Sequence, residues 1–180
     1  MGDDELIRIR PAVAEDAMAV AQAHVRSWQV GYRGLVPADY LDALRPEDRA
    51  SRYTFDQMNP DGPFTQVAID GDMICGHVTT GGCRDDDLPD SGEIWAIYVD
   101  PPRWGAGIGR RLITAGCARL RSQGHRRASL WVIAGNDRAR RFYELAGWYC
   151  DGAQRTDSIG GHPIHEVRYQ RSLQISLSRL

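Results

Sequence analysis

Apolar and polar residues alternate over Leu6-Ile7-Arg8-Ile9-Arg10, the period of a half-buried strand, and Pro11 stops the run by lacking an N–H donor. From Glu15 or Asp16 the period changes. Ala17, Val20, Ala21, His24 and Trp28 recur at helical spacing until Gly31 and Gly34 interrupt them. A second helical stretch follows Pro37, with Tyr40, Leu41 and Leu44 on one face, and Asn59-Pro60-Asp61-Gly62-Pro63 predicts a turn.

The next segments read as strands. Residues 66–69 turn at Asp70-Gly71-Asp72 into residues 73–78, a hairpin with favoured turn residues. Arg84 to Asp90 is an acidic loop, and Glu93 to Val99 a strongly apolar strand closed by Asp100-Pro101-Pro102. On simple alternation Glu93 shares a face with Trp95, Ile97 and Val99. The glycine-rich turn Gly105-Ala106-Gly107-Ile108-Gly109 leads into a helix bearing Leu112, Ile113, Gly116, Cys117 and Leu120. Residues 129–133 form a strand, and Asn136-Asp137 can cap a helix that runs to Ala146 and stops at Gly147. Residues 148–154 and 164–170 complete the set as a strand pair. This order predicts an α/β (α+β) mixed sheet covered by helices, with one right-handed crossover around the glycine turn.

Length and composition narrow the class. A chain of 180 residues suits a single domain over residues 1–180. With 42% hydrophobic and 26% charged residues it reads as an ordinary globular protein, and no apolar run approaches a membrane span. Met1-Gly2-Asp3-Asp4-Glu5 is acidic where a secretory signal is basic, which points to the cytoplasm. Balanced charge, 22 basic against 24 acidic residues, argues against nucleic acid as the partner. All 22 basic residues are arginine, which excludes Schiff-base chemistry and lysine-dependent phosphate loops. Cys75, Cys83, Cys117 and Cys150 form no C-x-x-C pair and read as buried hydrophobes or adventitious thiols. His162 and His165 follow Gly160-Gly161, a pattern that a hairpin turn explains without a metal.

Strand, glycines and helix in succession make an anion-binding device. The first N–H groups of a helix are unpaired and carry about half a positive charge, and glycine admits a phosphate close to the backbone. Spacing separates the known versions. A dinucleotide fingerprint needs glycine at 110, where Arg110 stands, and belongs to a first βα unit. A Walker loop needs Gly-Lys, and there is no lysine. What remains is Trp104-Gly105-Ala106-Gly107-Ile108-Gly109 after a strand ending Ile97-Tyr98-Val99-Asp100-Pro101. Here the chain resembles the GNAT superfamily of acyl-CoA-dependent N-acetyltransferases, whose pyrophosphate loop reads Arg/Gln-x-x-Gly-x-Gly/Ala. Trp104 departs from the first place of that pattern, and Arg103 or Arg110 can supply the missing charge. The segment from Asn136 to Trp148 is similar to the family's Asn-x-x-Ala-x-x-Phe-Tyr-x-x-x-Gly-Phe signature. The likeness spans roughly residues 5 to 170.

The resemblance implies a central, mostly antiparallel twisted sheet with helices on both faces, and acetyl-CoA as co-substrate without a metal. It implies that main-chain groups of Ile97, Tyr98 and Val99, the loop from Trp104 through Gly105, Ala106, Gly107, Ile108 and Gly109 to Arg110, and Asn136 bind the cofactor. It implies that Tyr143 protonates the departing thiolate, though this tyrosine also reads as a core aromatic on the face of Ala139, Phe142 and Ala146. Glu93 takes the place of the family's base, acting directly or through water. It can equally pair with an arginine in a structural role. An amine of pKa near ~10.4 is almost wholly protonated at pH 7, so its proton must leave before attack. The acceptor site would include Trp28, Tyr32 and Arg33, and Asp85-Asp86-Asp87 with Asp90 either draws in a cationic amine or is a solvated loop. The acceptor is a small-molecule amine or a protein terminal or side-chain amine, with no nucleic acid or membrane partner, and many relatives form homodimers. Set against this enzyme is a catalytically silent acyl-CoA-binding domain.

Overall fold

The computed structural model describes residues 7–55, 59 and 62–174. The acidic N-terminus and Pro60-Asp61 of the expected turn lie outside the described residues, although Gly62 N–H does bond Asn59 O at 3.2 Å. Seven strands form one sheet among the described residues: β1 (Ile7–Pro11), β2 (Phe64–Asp70), β3 (Met73–Gly82), β4 (Gly92–Val99), β5 (Arg127–Ile133), β6 (Tyr149–Ile159) and β7 (His162–Ser172). Their order is β1-β2-β3-β4-β5-β7-β6. Only β4 and β5 run parallel; the other neighbours are antiparallel. The helices are α1 (Ala17–Gly31), α2 (Ala38–Ala43), α3 (Pro46–Ala50), α4 (Ile108–Ser122) and α5 (Asp137–Leu145). The expected mixed sheet and its crossover through α4 are present. The short α3 was not expected, because Pro-Glu-Asp-Arg-Ala carries no apolar period for sequence reading to detect.

Helices cover both faces of the sheet. On one, Val20 of α1 packs with Ala12, Val67 and Ile69. On the other, Leu112, Ile113 and Leu120 of α4 pack with Ala68, Val78, Ile94 and Leu130. Full burial of one such leucine is worth about 1.5–3 kcal/mol. Close approach of α4 depends on Gly116, where a Cβ would meet Ile94 Cδ1 at 3.0 Å and Val78 Cγ2 at 3.1 Å. A third cluster, Val36, Leu41, Ile133 and Ile164, ties the α1–α2 region to the far end of the sheet. At the tip of the β6–β7 hairpin Gly160 and Gly161 have φ of 58° and 78°, the turn that the two glycines predicted.

Two irregularities in β4 shape the middle of the sheet. Thr79 pairs with Ala96 but Thr80 with Ile94, so Trp95 is an extra residue in a β-bulge. The bulge breaks the expected alternation of faces. Ile94, Ile97 and Val99 belong to the α4-side core, whereas Trp95 and Glu93 both engage Arg84. The expectation that Glu93 shares a face with Ile97 and Val99 is therefore corrected, the cause being one inserted residue that local patterning does not reveal. The second irregularity is that β4 pairs with β5 only at Gly92↔Ala128 and Glu93↔Ser129. Beyond Glu93 the two strands diverge and leave a fork.

Candidate active site

The fork is edged by residues 94–99 of β4 and flanked by the N-terminal ends of α4 and α5. The loop entering α4 turns on two left-handed residues, Gly105 at φ 84° and Gly107 at φ 76°, a conformation that costs other residues about 1–2 kcal/mol. A Cβ at either would meet nothing within 4 Å, so the cradle is open and backbone conformation selects glycine there. Gly109 differs, because a Cβ there would press on Phe142 at 3.3 Å. Ile108 is buried in the core. Bonding back to the loop begins with Arg111 N–H to Gly107 O, so Ile108, Gly109 and Arg110 present N–H groups with no backbone acceptor among the described residues. Main-chain N–H groups are thus what these positions offer an anion.

Trp104 does something that sequence did not suggest. Its indole N–H donates to Val99 O at 2.7 Å, fastening the loop to the end of β4. The Arg138 guanidinium lies over its ring, 3.4 Å from the centroid, and both approach Gly31 at the end of α1. Arg103, one of the two arginines expected to supply charge to the loop, pairs with Asp70. Arg138, in the first turn of α5, stands there instead. It occupies the third place of the Asn-x-x-Ala motif, the one signal that sequence offered. Asn136 caps α5 by accepting Ala139 N–H at 3.1 Å, as expected.

At the open end of the fork several predicted residues meet. Tyr143 is buried against Phe142, Trp148 and Tyr169. Burial, helped by the nearby Tyr98 hydroxyl, pushes its own hydroxyl well above the usual tyrosine range. It therefore stays protonated at neutral pH. Trp28 and Tyr32 pack edge to face, centroids 4.9 Å apart, and Trp28 lies 6.2 Å from Tyr98. The Tyr32 hydroxyl is also pushed up, by burial and then by Tyr98, with Tyr143 a further contributor. The Trp28 indole N–H is buried and interacts with the Tyr98 hydroxyl, without a hydrogen bond of regular geometry. Trp28, Tyr32 and Tyr98 thus form one aromatic group, with the Tyr143 hydroxyl near enough to feel Tyr98.

Glu93 sits at the root of the fork, 1% exposed. Arg84 holds it: Nη2 donates to Oε1 at 2.5 Å, and Nε and the backbone N–H donate to Oε2 at 3.2 and 3.0 Å. The guanidinium also stacks on Trp95, 4.6 Å from its centroid. This is the structural pairing that the sequence left open. Arg84 thereby takes three of the roughly four acceptor sites of the carboxylate.

Part of the acidic loop is tied down, while Asp86 and Asp90 are exposed. Buried Arg168 of β7 binds Asp85, Asp87 and Asp151, and Asp85 also accepts the Trp131 indole N–H. A buried guanidinium requires such partners, and the loop supplies two of them. His24, expected on the apolar face of its helix, is buried and stacks on a second buried histidine, His77, with centroids 5.6 Å apart beneath Tyr98, a pairing that the sequence did not suggest. His24 Nδ1 contacts the Tyr53 hydroxyl at 3.2 Å. Among the described residues no group of His, Cys, Asp and Glu is arranged to hold a metal, and no helix is long and apolar enough to cross a membrane.

Comparison with known proteins bears on this geometry. Residues 17–148 match the family model described as the acetyltransferase (GNAT) family. The uncharacterized N-acetyltransferase YuaI of Bacillus subtilis (strain 168) is 29% identical over 131 residues, 73% of this chain and 74% of that protein. A mycothiol acetyltransferase of Nocardiopsis dassonvillei is 33% identical over 150 residues, 80% of this chain but 43% of its own length. The chain thus spans less than half of that relative. Among solved structures, the PaiA N-acetyltransferase of Thermoplasma acidophilum in complex with coenzyme A superposes with TM-score 0.73 at 18% identity, covering 92% of this chain and 98% of that one. YncA of Salmonella typhimurium with acetyl-CoA gives 0.69 at 20%, covering 97% and 98%.

Proposed function

This chain belongs to the GNAT acetyltransferase family, and from that premise we propose that it moves an acetyl group from acetyl-CoA to a primary amine by direct attack in a ternary complex. The observation that carries the reading is the fork between β4 and β5, with the unpaired N–H groups of Ile108, Gly109 and Arg110 at one side and Tyr143 at the other. Bound acetyl-CoA supplies an activated thioester. Its phosphates suit the helix N-terminus and the two left-handed glycines, and Arg110 and Arg138 add positive charge. Ile97 and Tyr98 offer main-chain groups to the acyl arm, while Val99 O is already engaged by Trp104. Hydrogen-bond donors aimed at a developing oxyanion typically contribute about 3–4 kcal/mol.

In the reaction a C–N bond forms as the C–S bond breaks. The amine proton passes to Glu93, through water or after Arg84 moves aside, and the sulfur receives a hydrogen bond and then a proton from Tyr143. Its raised pKa makes Tyr143 a weaker acid than free tyrosine, so its first contribution is to donate to the sulfur as negative charge grows. Trp28 and Tyr32 line the acceptor side.

Calorimetric titration with acetyl-CoA, against ATP and NADH as controls, followed by thiol release with an amine panel, tests this. Selective micromolar binding and amine-dependent thiol release are expected. Tyr143→Phe should lower turnover by about 10²-fold or more with acetyl-CoA affinity retained; undiminished turnover removes its role. The grip of Arg84 on Glu93 favours a second reading, a silent acyl-CoA-binding domain, and binding without thiol release from any amine would select it.

A further inference from the structure

A cleft of about 410 Å³ opens on the α1 and α3 side of the sheet, over β3 and β4. Trp95 and Ala96 both line it, consecutive residues that only the bulge brings to one side. Arg49, Arg52 and Arg84 stand in its walls, and among the described residues no aspartate or glutamate does. The charge of Arg84 is matched by Glu93. Arg49 has a neutral partner, the Tyr53 hydroxyl at 3.1 Å, and lies against that ring. Neither Arg49 nor Arg52 has a carboxylate within ion-pair distance among the described residues. Two guanidinium groups in one cleft with no carboxylate partner among the described residues are a local feature in a chain whose net charge is -2.

The phosphates of the co-substrate do not account for them. The unpaired N–H groups of α4 belong to a helix packed on the opposite face, whereas Thr79 of this cleft lies on the side of His77 and α1. The cleft and the fork share strand β4. Ala96 immediately precedes Ile97, and strand residues advance only ~3.3 Å each. A guanidinium is a planar fork that matches a carboxylate or a phosphate in two-point contact. We infer that the acceptor amine carries such an oxyanion group, held in this cleft by Arg49 and Arg52 while the amine reaches toward the β4 edge of the fork. This rests on the acetyl-transfer reading above. It also gives Arg84 a competing partner, so that acceptor binding loosens its hold on Glu93.

Matched acceptors test the inference: alanine against alaninamide, and phosphoethanolamine against ethanolamine, each followed by thiol release with acetyl-CoA. The anionic member should have the higher kcat/KM in at least one pair, by about tenfold or more, the scale of a charge-assisted hydrogen bond. Arg52→Ala and, separately, Arg49→Gln should shrink that ratio toward one. Arg52 is exposed, so its variant remains informative if Arg49→Gln fails to fold. Acetylation of the neutral members with no anionic preference, or a preference that both variants retain, overturns the inference and leaves the acetyltransferase reading intact. If no amine is acetylated that reading fails, and the cleft is then judged alone. With CoA saturating the cofactor site, inorganic phosphate should shift the Arg49 and Arg52 Nε–H resonances in wild type, and those that remain should shift less in Arg52→Ala. Unmoved resonances overturn the anion site.

Discussion

At the scale of single residues, Glu93 shows why identity does not fix a role. The same carboxylate is a base candidate by position and an ion-pair partner by contact, and the two roles differ in how the variant responds to pH. Glu93→Gln removes any base, leaving a reaction that depends on the free amine already present. That fraction rises tenfold per pH unit below the amine pKa. The rate deficit against wild type should therefore be greatest at low pH and narrow as pH rises. Profiles that stay parallel would mean that the carboxylate only anchors Arg84. A stability loss of about 1–2 kcal/mol is expected in either case, since Arg84 is half exposed and water replaces part of what it loses. Trp104 carries a similar lesson. As a departure from the phosphate-loop pattern it gave no hint of its indole N–H bond to Val99 O. No local pattern encodes a contact that depends on how a loop folds back over a strand end.

Elements explain what the residues cannot. The N-terminus of α4 presents free N–H groups because Gly107, at φ 76° and ψ -2°, turns the chain into the helix from a left-handed position. Gly107→Ala meets no steric obstacle but carries about 1–2 kcal/mol of backbone strain, which the loop relieves by turning those N–H groups away. Acetyl-CoA binding should weaken by about tenfold, measured by calorimetry, with a modest loss of thermal stability. Unchanged affinity would show that the cradle does not hold the phosphates. The bulge in β4 is also an element-scale device, turning Trp95 and Ala96 into one cleft while Ile94, Ile97 and Val99 stay with the core. It was invisible beforehand because an inserted residue is defined by its partner strand.

Across the whole molecule, packing has placed two histidines where water cannot reach them. Burial pushes His77 down to about 3 and His24 well below its usual value, with His77 adding to the effect on His24. In the unfolded chain both titrate near ~6.5, so on acidification the unfolded state takes up protons first. Their contribution to stability is fully present above about pH 6.5 and falls as pH drops, by up to ~1.4 kcal/mol per pH unit for each histidine; for His77 it levels out near pH 3. Urea unfolding midpoints should therefore fall between pH 6.5 and 5, above the range where Asp16, Asp87 and Asp151 with their lowered values begin to protonate. His77→Gln should flatten that limb, and an unchanged slope would count against burial as its cause.

Legibility in the sequence tracked the range of the physical cause. Alternation and helical period located all seven strands and the four longer-patterned helices, because each depends on neighbours a few residues away. The glycine turn and the Asn136 cap were legible for the same reason, since left-handed φ and unpaired helix N–H groups are local demands. Tertiary structure alone decided where charge resides. With 22 arginines of identical chemistry, only folding selects Arg84 for Glu93, Arg168 for Asp85 and Asp87, Arg138 for Trp104, and leaves Arg49 and Arg52 facing a cleft. Ion pairing and burial depend on distances between segments up to 83 positions apart, and those distances exist only once the sheet has formed.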